Sequence, residues 1–96
     1  MKATTAAEAH RLHDIPNIGK AIAEDLRALG FQQPQHLAGQ DPYEMYERLN
    51  TQTGVRHDPC LLDTFIAAVC FMDGGPPVPW WAFTAERKAA LATPKR

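Results

Sequence analysis

Ile15-Pro16-Asn17-Ile18-Gly19 ends one helical pattern and opens another within a single turn. A proline pushes the residue before it out of the helical region and cannot continue the hydrogen-bond ladder, so Pro16 closes whatever precedes it. Downstream, Ile18, Ala21, Ile22, Leu26 and Leu29 recur at helical spacing with Glu24, Asp25 and Arg27 between them, and Gly30 is a helix stop. Upstream, Thr5 and Glu8 have capping-box spacing, which predicts a first helix from Thr5 to about His13. Two short helices joined by a tight turn are therefore expected at the start of the chain. Gly19, Ala21 and Ala23 are expected to supply tight backbone geometry and close helix approach. The turn also aims the free amides of the second helix outward, where the positive end of the helix dipole favours an anion, and a phosphate is the natural guest. The expected amide donors are Asn17, Ile18 and Gly19, with Lys20 as the adjacent cation.

Outward from this turn, Phe31 to Gln40 reads as a connector with a short helical turn near Pro34, anchored by Leu37. Asp41-Pro42-Tyr43-Glu44 combines a cap, a proline at the first helical position and a capping-box glutamate. It predicts a helix from Pro42 to about Thr53 that buries some of Tyr43, Met45, Tyr46 and Leu49 and ends at Gly54. Asp58-Pro59 repeats the cap-plus-proline signal ahead of the most hydrophobic segment, Cys60 to Met72; a helix apolar on nearly every side belongs at the centre of a domain. Asp73-Gly74-Gly75-Pro76-Pro77 breaks it. Val78-Pro79-Trp80-Trp81-Ala82-Phe83 is expected to form an extended, proline- and tryptophan-containing strap over the core, and Thr84 to cap a last exposed helix through Leu91. The fold class read from the chain is all-α, with five or six short helices. Residues 1–83 form the domain, and residues 84–96 form a basic helix and tail.

The composition sets limits. With 96 residues there is one modest core and no room for a second catalytic domain. No apolar stretch is long enough to span a bilayer and no secretory leader is evident, so a soluble, cytoplasmic protein without a membrane partner is expected. Cys60 and Cys70 fall in one predicted helix about 15 Å apart, too far to form a disulfide, and are read as reduced core residues. The net charge of −1 argues against strong nucleic-acid binding, although Arg87, Lys88, Lys95 and Arg96 make the end of the chain basic. No nucleophile beside a base, metal-holding acidic cluster or glycine-rich nucleotide loop is present, which argues against an enzyme and against a small-molecule substrate. His10 and His13, and His57 and Cys60, are each three residues apart. They would make a zinc set only if two helix ends met, which nothing in the sequence indicates.

The Ile15–Gly19 turn resembles the helix-hairpin-helix motif of DNA repair and recombination proteins, whose usual turn reads apolar-Pro-Gly-Ile-Gly. Asn17 stands where the motif has its first glycine, and Asn tolerates a left-handed backbone. Further stretches carry the likeness from about residue 10 to residue 83: Asp25-Leu26-Arg27-Ala28-Leu29-Gly30-Phe31, Gly39-Gln40-Asp41-Pro42, Tyr46-Glu47-Arg48-Leu49 and Thr53-Gly54-Val55. In these the chain resembles the small pathogenicity-locus proteins, some called mitomycin resistance proteins, and more remotely the C-terminal domain of TfoX-type competence regulators. The resemblance implies a SAM-like or tandem-hairpin domain that associates with DNA, with a potassium or sodium ion held by hairpin carbonyls. It also makes residues 53–59 a degenerate second hairpin, read as structural, with Arg56 and His57 as candidate phosphate contacts; Arg11 and His13, which precede the first turn, are the other candidates to flank a phosphate.

The first expectation is thus sequence-independent, salt-sensitive DNA binding without catalysis. The second is a protein-interaction module that uses Trp80, Trp81 and Phe83; burial of these rings would make the strap structural instead.

Overall fold

The computed structural model describes residues 2–92 and is all-helical, with four α-helices: α1 (Lys20–Ala28), α2 (Pro42–Thr53), α3 (Pro59–Met72) and α4 (Thr84–Ala92). Four short 3-10 turns separate them, at Ala6–Glu8, Leu12–Asp14, Pro34–Leu37 and Trp80–Phe83. Lys95 and Arg96, half of the expected basic tail, lie outside the described residues.

Helices α2 and α4 and the turns at Pro34–Leu37 and Trp80–Phe83 pack against α3, while α1 packs on the Leu12–Asp14 turn. The start of α3 follows from its sequence: Pro59 takes the first helical position and the Asp58 carboxylate accepts the Cys60 amide at 2.8 Å. From Leu62 to Val69 every residue is buried, as are Phe71 and Met72. Cys60 and Cys70 are free thiols, half-buried rather than in the core. On α2, the Asp41 carboxylate accepts the Tyr43 amide at 2.9 Å, and Gly54 ends the helix in a left-handed conformation at φ 72°. Met45, Tyr46 and Leu49 are its buried face.

On α1 the buried stripe runs through Ala23 and Leu26, with Ile18 and Leu29 at its ends; the expected Ala21 is exposed. The carbonyls that α1 leaves open at its C-terminus are satisfied by α2. Arg48 donates to the Leu29 carbonyl at 2.9 Å and Gln52 to the Ala28 carbonyl at 2.7 Å. The Pro34–Leu37 turn is anchored by fully buried Leu37, as its sequence implies.

Besides the helix count, four α-helices with 3-10 turns in place of five or six short helices, two larger expectations are corrected. No α-helix runs from Thr5 to His13. Two 3-10 turns replace it, with extended backbone at Ala9 and Arg11 between them. Glu8 accepts chiefly from the amide and hydroxyl of Thr4, at 2.9 and 2.6 Å. The break has a cause: the Asp14 carboxylate captures the amides of His10 and Arg11, at 3.1 and 3.0 Å, which a continuous helix would send along its own ladder. It also lets Ala3, Ala9, Leu12 and Ile15 all reach the core. The second correction concerns the strap. After Pro76–Pro79 the chain coils into the Trp80–Phe83 turn, which packs against α3, with Phe83 on the core and Trp81 outside.

Helix α4 is tied to α3 through Asp63, which is fully buried. Thr84 was expected to cap α4, but its hydroxyl donates to Asp63 Oδ2 at 2.7 Å. The Arg87 guanidinium grips both carboxylate oxygens, Nε at 2.8 Å and Nη2 at 3.2 Å. This bidentate hydrogen bond holds the guanidinium above its ordinary pKa. Among the described residues no helix is long and apolar enough to cross a membrane.

Candidate nucleic-acid interface

The Ile15–Gly19 turn is built on two buried isoleucines. Ile15 and Ile18 are both 0% exposed, and the Ile18 amide donates back to the Ile15 carbonyl at 3.1 Å, closing the turn between them. The turn closes with Pro16 at its first central position and Asn17 left-handed at its second, at φ 73°, the arrangement of a type II turn. The Asn17 side chain then donates to the Val78 carbonyl at 2.8 Å, fixing the proline strap beside the turn.

The Ile18 amide is therefore engaged in the turn and unavailable as the phosphate donor expected from the sequence. The open donors lie one residue later. The first helical bond of α1 runs from the Ala23 amide to the Gly19 carbonyl, and among the described residues no backbone acceptor faces the amides of Gly19, Lys20, Ala21 or Ile22. Gly19 also differs from expectation. Its backbone is extended, at φ −93° and ψ −173°, which any residue adopts, and a side chain there would meet nothing within 4 Å. The missing side chain serves to leave the amides approachable, not to shape the turn.

Around these amides lies a shallow depression lined by Lys2, His13, Ile18, Gly19, Lys20, Ala23, Glu24 and Arg27. Of the expected residues, Lys20, His13, Ile18 and Gly19 are thus brought together. Lys2 and Arg27 join them unforeseen. Arg27 follows Lys20 by two helical turns and so shares its face, a spacing readable in the sequence; it also pairs with Glu24 at 3.2 Å. Lys2 had no such signal, because its position depends on folding the N-terminus back across the turn. Its ammonium donates to the His13 carbonyl at 2.6 Å and to the Ile18 carbonyl. Burial pulls its pKa below the ordinary lysine value, and the Asp14 charge opposes this. The carbonyls of His13 and Ile18 are thus held by a lysine ammonium.

The remaining expected contacts are placed elsewhere. Arg11 is exposed and stands 3.9 Å from Asp14, outside the depression. Arg56, in the proposed second hairpin, lies on a separate groove with Tyr43, Glu47 and Leu91. His57 is turned inward: its amide and ring nitrogen both meet Asn50 Oδ1, at 2.9 and 2.7 Å, and its carbonyl accepts the Tyr46 hydroxyl. Among the described residues no three His, Cys, Asp or Glu side chains gather as a metal site.

Asp14 holds the N-terminal side of the site, and its pKa is lowered by the Arg11 and His10 amides it accepts, with the Arg11 charge adding to them. A carboxylate whose folded pKa is depressed stabilises the fold above its unfolded value, about 3.9, and that contribution is lost as pH falls through the lower folded value. The His10 and Arg11 amide NMR signals are expected to titrate together with a midpoint below about pH 3.9. Asp14→Asn should abolish this transition; amide shifts that stay flat in the unsubstituted chain would contradict the capping role.

Residues 5–89 match the family model described as Pathogenicity locus (Cdd1). The chain is 40% identical over 88 residues to the mitomycin resistance protein McrB of Streptomyces lavendulae, an alignment that covers 92% of this chain and 84% of that protein. No solved structure matches it.

Proposed function

The chain belongs to the pathogenicity-locus family, and from that premise we propose that it is a small, non-catalytic, cytoplasmic module that binds DNA without sequence preference. In this reading the Leu12–Asp14 turn, the Ile15–Gly19 loop and α1 form a shortened helix-hairpin-helix, with a 3-10 turn in place of the first helix. The observation that carries it is the meeting of the open amides at the start of α1 with Lys2, Lys20 and Arg27 around one depression. Amides at a helix N-terminus and nearby ammonium groups both favour a phosphate, and neither reads a base. With few cations converging and Glu24 among them, affinity is expected to be weak and strongly salt-dependent.

The test is a fluorescence-anisotropy titration of labelled DNA at low and moderate salt. A single charge at contact distance from a phosphate is worth about 1 kcal/mol in water, so Lys20→Glu should weaken binding at least ~5-fold at low salt. It should also reduce the salt slope by about one phosphate contact. Absence of binding by the unsubstituted chain at low salt would exclude the proposal. It would leave the second reading, a protein-interaction module, which the 63% exposure of Trp81 favours.

A further inference from the structure

We infer that Trp81 is a stacking platform for an unpaired base, so that the site prefers single-stranded or locally melted nucleic acid; this rests on the phosphate-binding reading above. Trp81 is one of the few large apolar side chains left exposed, at 63%. It is not a loose ring. Trp80 meets it edge-on, with centroids 5.5 Å apart and planes at 85°, and the pair sits in a 3-10 turn that begins directly after Pro79. An indole braced in this way and 63% exposed presents ring surface without needing to be ordered on binding.

Its place relative to the phosphate site is fixed by two consecutive turn residues. The Asn17 side chain donates to the Val78 carbonyl, and the carbonyl of the next residue, Ile18, accepts from the Lys2 ammonium. Trp81 follows Val78 by three residues, which reach no more than about 11 Å when fully extended. In this inference a strand whose phosphate rests at the start of α1 runs on past the strap that Asn17 ties to the turn, and an unpaired base of that strand stacks on the indole. Bases inside a duplex are stacked on each other and present no free face, whereas unpaired bases stack on aromatic side chains regardless of sequence. The strap residues Gly74 to Phe83 carry no charge to oppose the strand.

The experiment pairs anisotropy with tryptophan fluorescence. The full chain is titrated with a short oligothymidine, the same strand with abasic positions, and a blunt duplex of equal length. Expected are quenched tryptophan emission with oligothymidine, about tenfold weaker binding of the abasic strand and of the duplex, and a similar loss in Trp81→Ala, with Trp81→Phe largely restoring affinity. Trp80→Phe should retain the quench. Equal affinity for all three ligands, unaltered in Trp81→Ala but reduced in Lys20→Glu, would overturn the stacking inference and leave the phosphate site standing. No binding of any ligand at low salt would overturn both.

Discussion

Arg87→Ala is expected to lower folding stability by about 3–5 kcal/mol, the range for removing one partner of a buried ion pair. For a domain of this size total stability is about 5–15 kcal/mol, so the loss would be read as a large shift of the urea midpoint. The cause is the carboxylate left behind. Asp63 is 0% exposed and, among the described residues, its oxygens accept from Thr84 and Arg87, so removal of the guanidinium leaves a buried charge with one hydroxyl donor. The reverse change is gentler, because Arg87 lies on the outermost helix and can swing to water once Asp63→Ala releases it. The ordering Arg87→Ala worse than Asp63→Ala is therefore part of the expectation. A double Asp63→Leu, Arg87→Met replacement should recover most of the loss, since a packed apolar pair avoids desolvating either charge. An Arg87→Ala chain within 1 kcal/mol of the original would mean that α4 parts from α3 and lets water reach Asp63.

Gly19→Asp separates stability from binding. The glycine is the N-cap of α1, with extended dihedrals and open space where a side chain would go. Aspartate is among the preferred N-cap residues and its charge suits the helix dipole, so thermal stability is expected to hold or rise slightly. DNA binding should fall more than about tenfold, because a carboxylate would occupy the amides and repel phosphate. Each hydrogen bond to a charged group is worth about 1.5–3 kcal/mol, so loss of one suffices. Unchanged affinity in a folded Gly19→Asp chain would exclude the start of α1 as the phosphate site. Gly19→Leu provides the neutral control, blocking approach by bulk at a helix-stability cost of about 1 kcal/mol.

The helices that proved most legible have punctuation that acts within a few residues. Asp41-Pro42 and Asp58-Pro59 start α2 and α3, and Gly54 ends α2, each through a local hydrogen bond or dihedral preference. The N-terminal segment misled for the same reason that those succeeded. Thr5 and Glu8 form a valid local signal, but Asp14 competes for the amides that a helix would use and prevails with the help of buried Leu12 and Ile15. The strap misled because its prolines favour extended backbone only up to Pro79; beyond it, contact with α3 sets the conformation.

The sequence by itself determined the all-helical class, the central place of Pro59–Met72, the left-handed Asn17 turn and membership in the pathogenicity-locus family. All of these rest on short-range propensity or on residue identity along the chain. Only the tertiary structure decided that Lys2 closes over the turn, that Asn17 holds the strap at Val78 and that Arg87 neutralises Asp63. Each of these contacts joins residues eleven or more positions apart. No propensity acts at that range; such contacts form when burial of one shared core brings distant segments together.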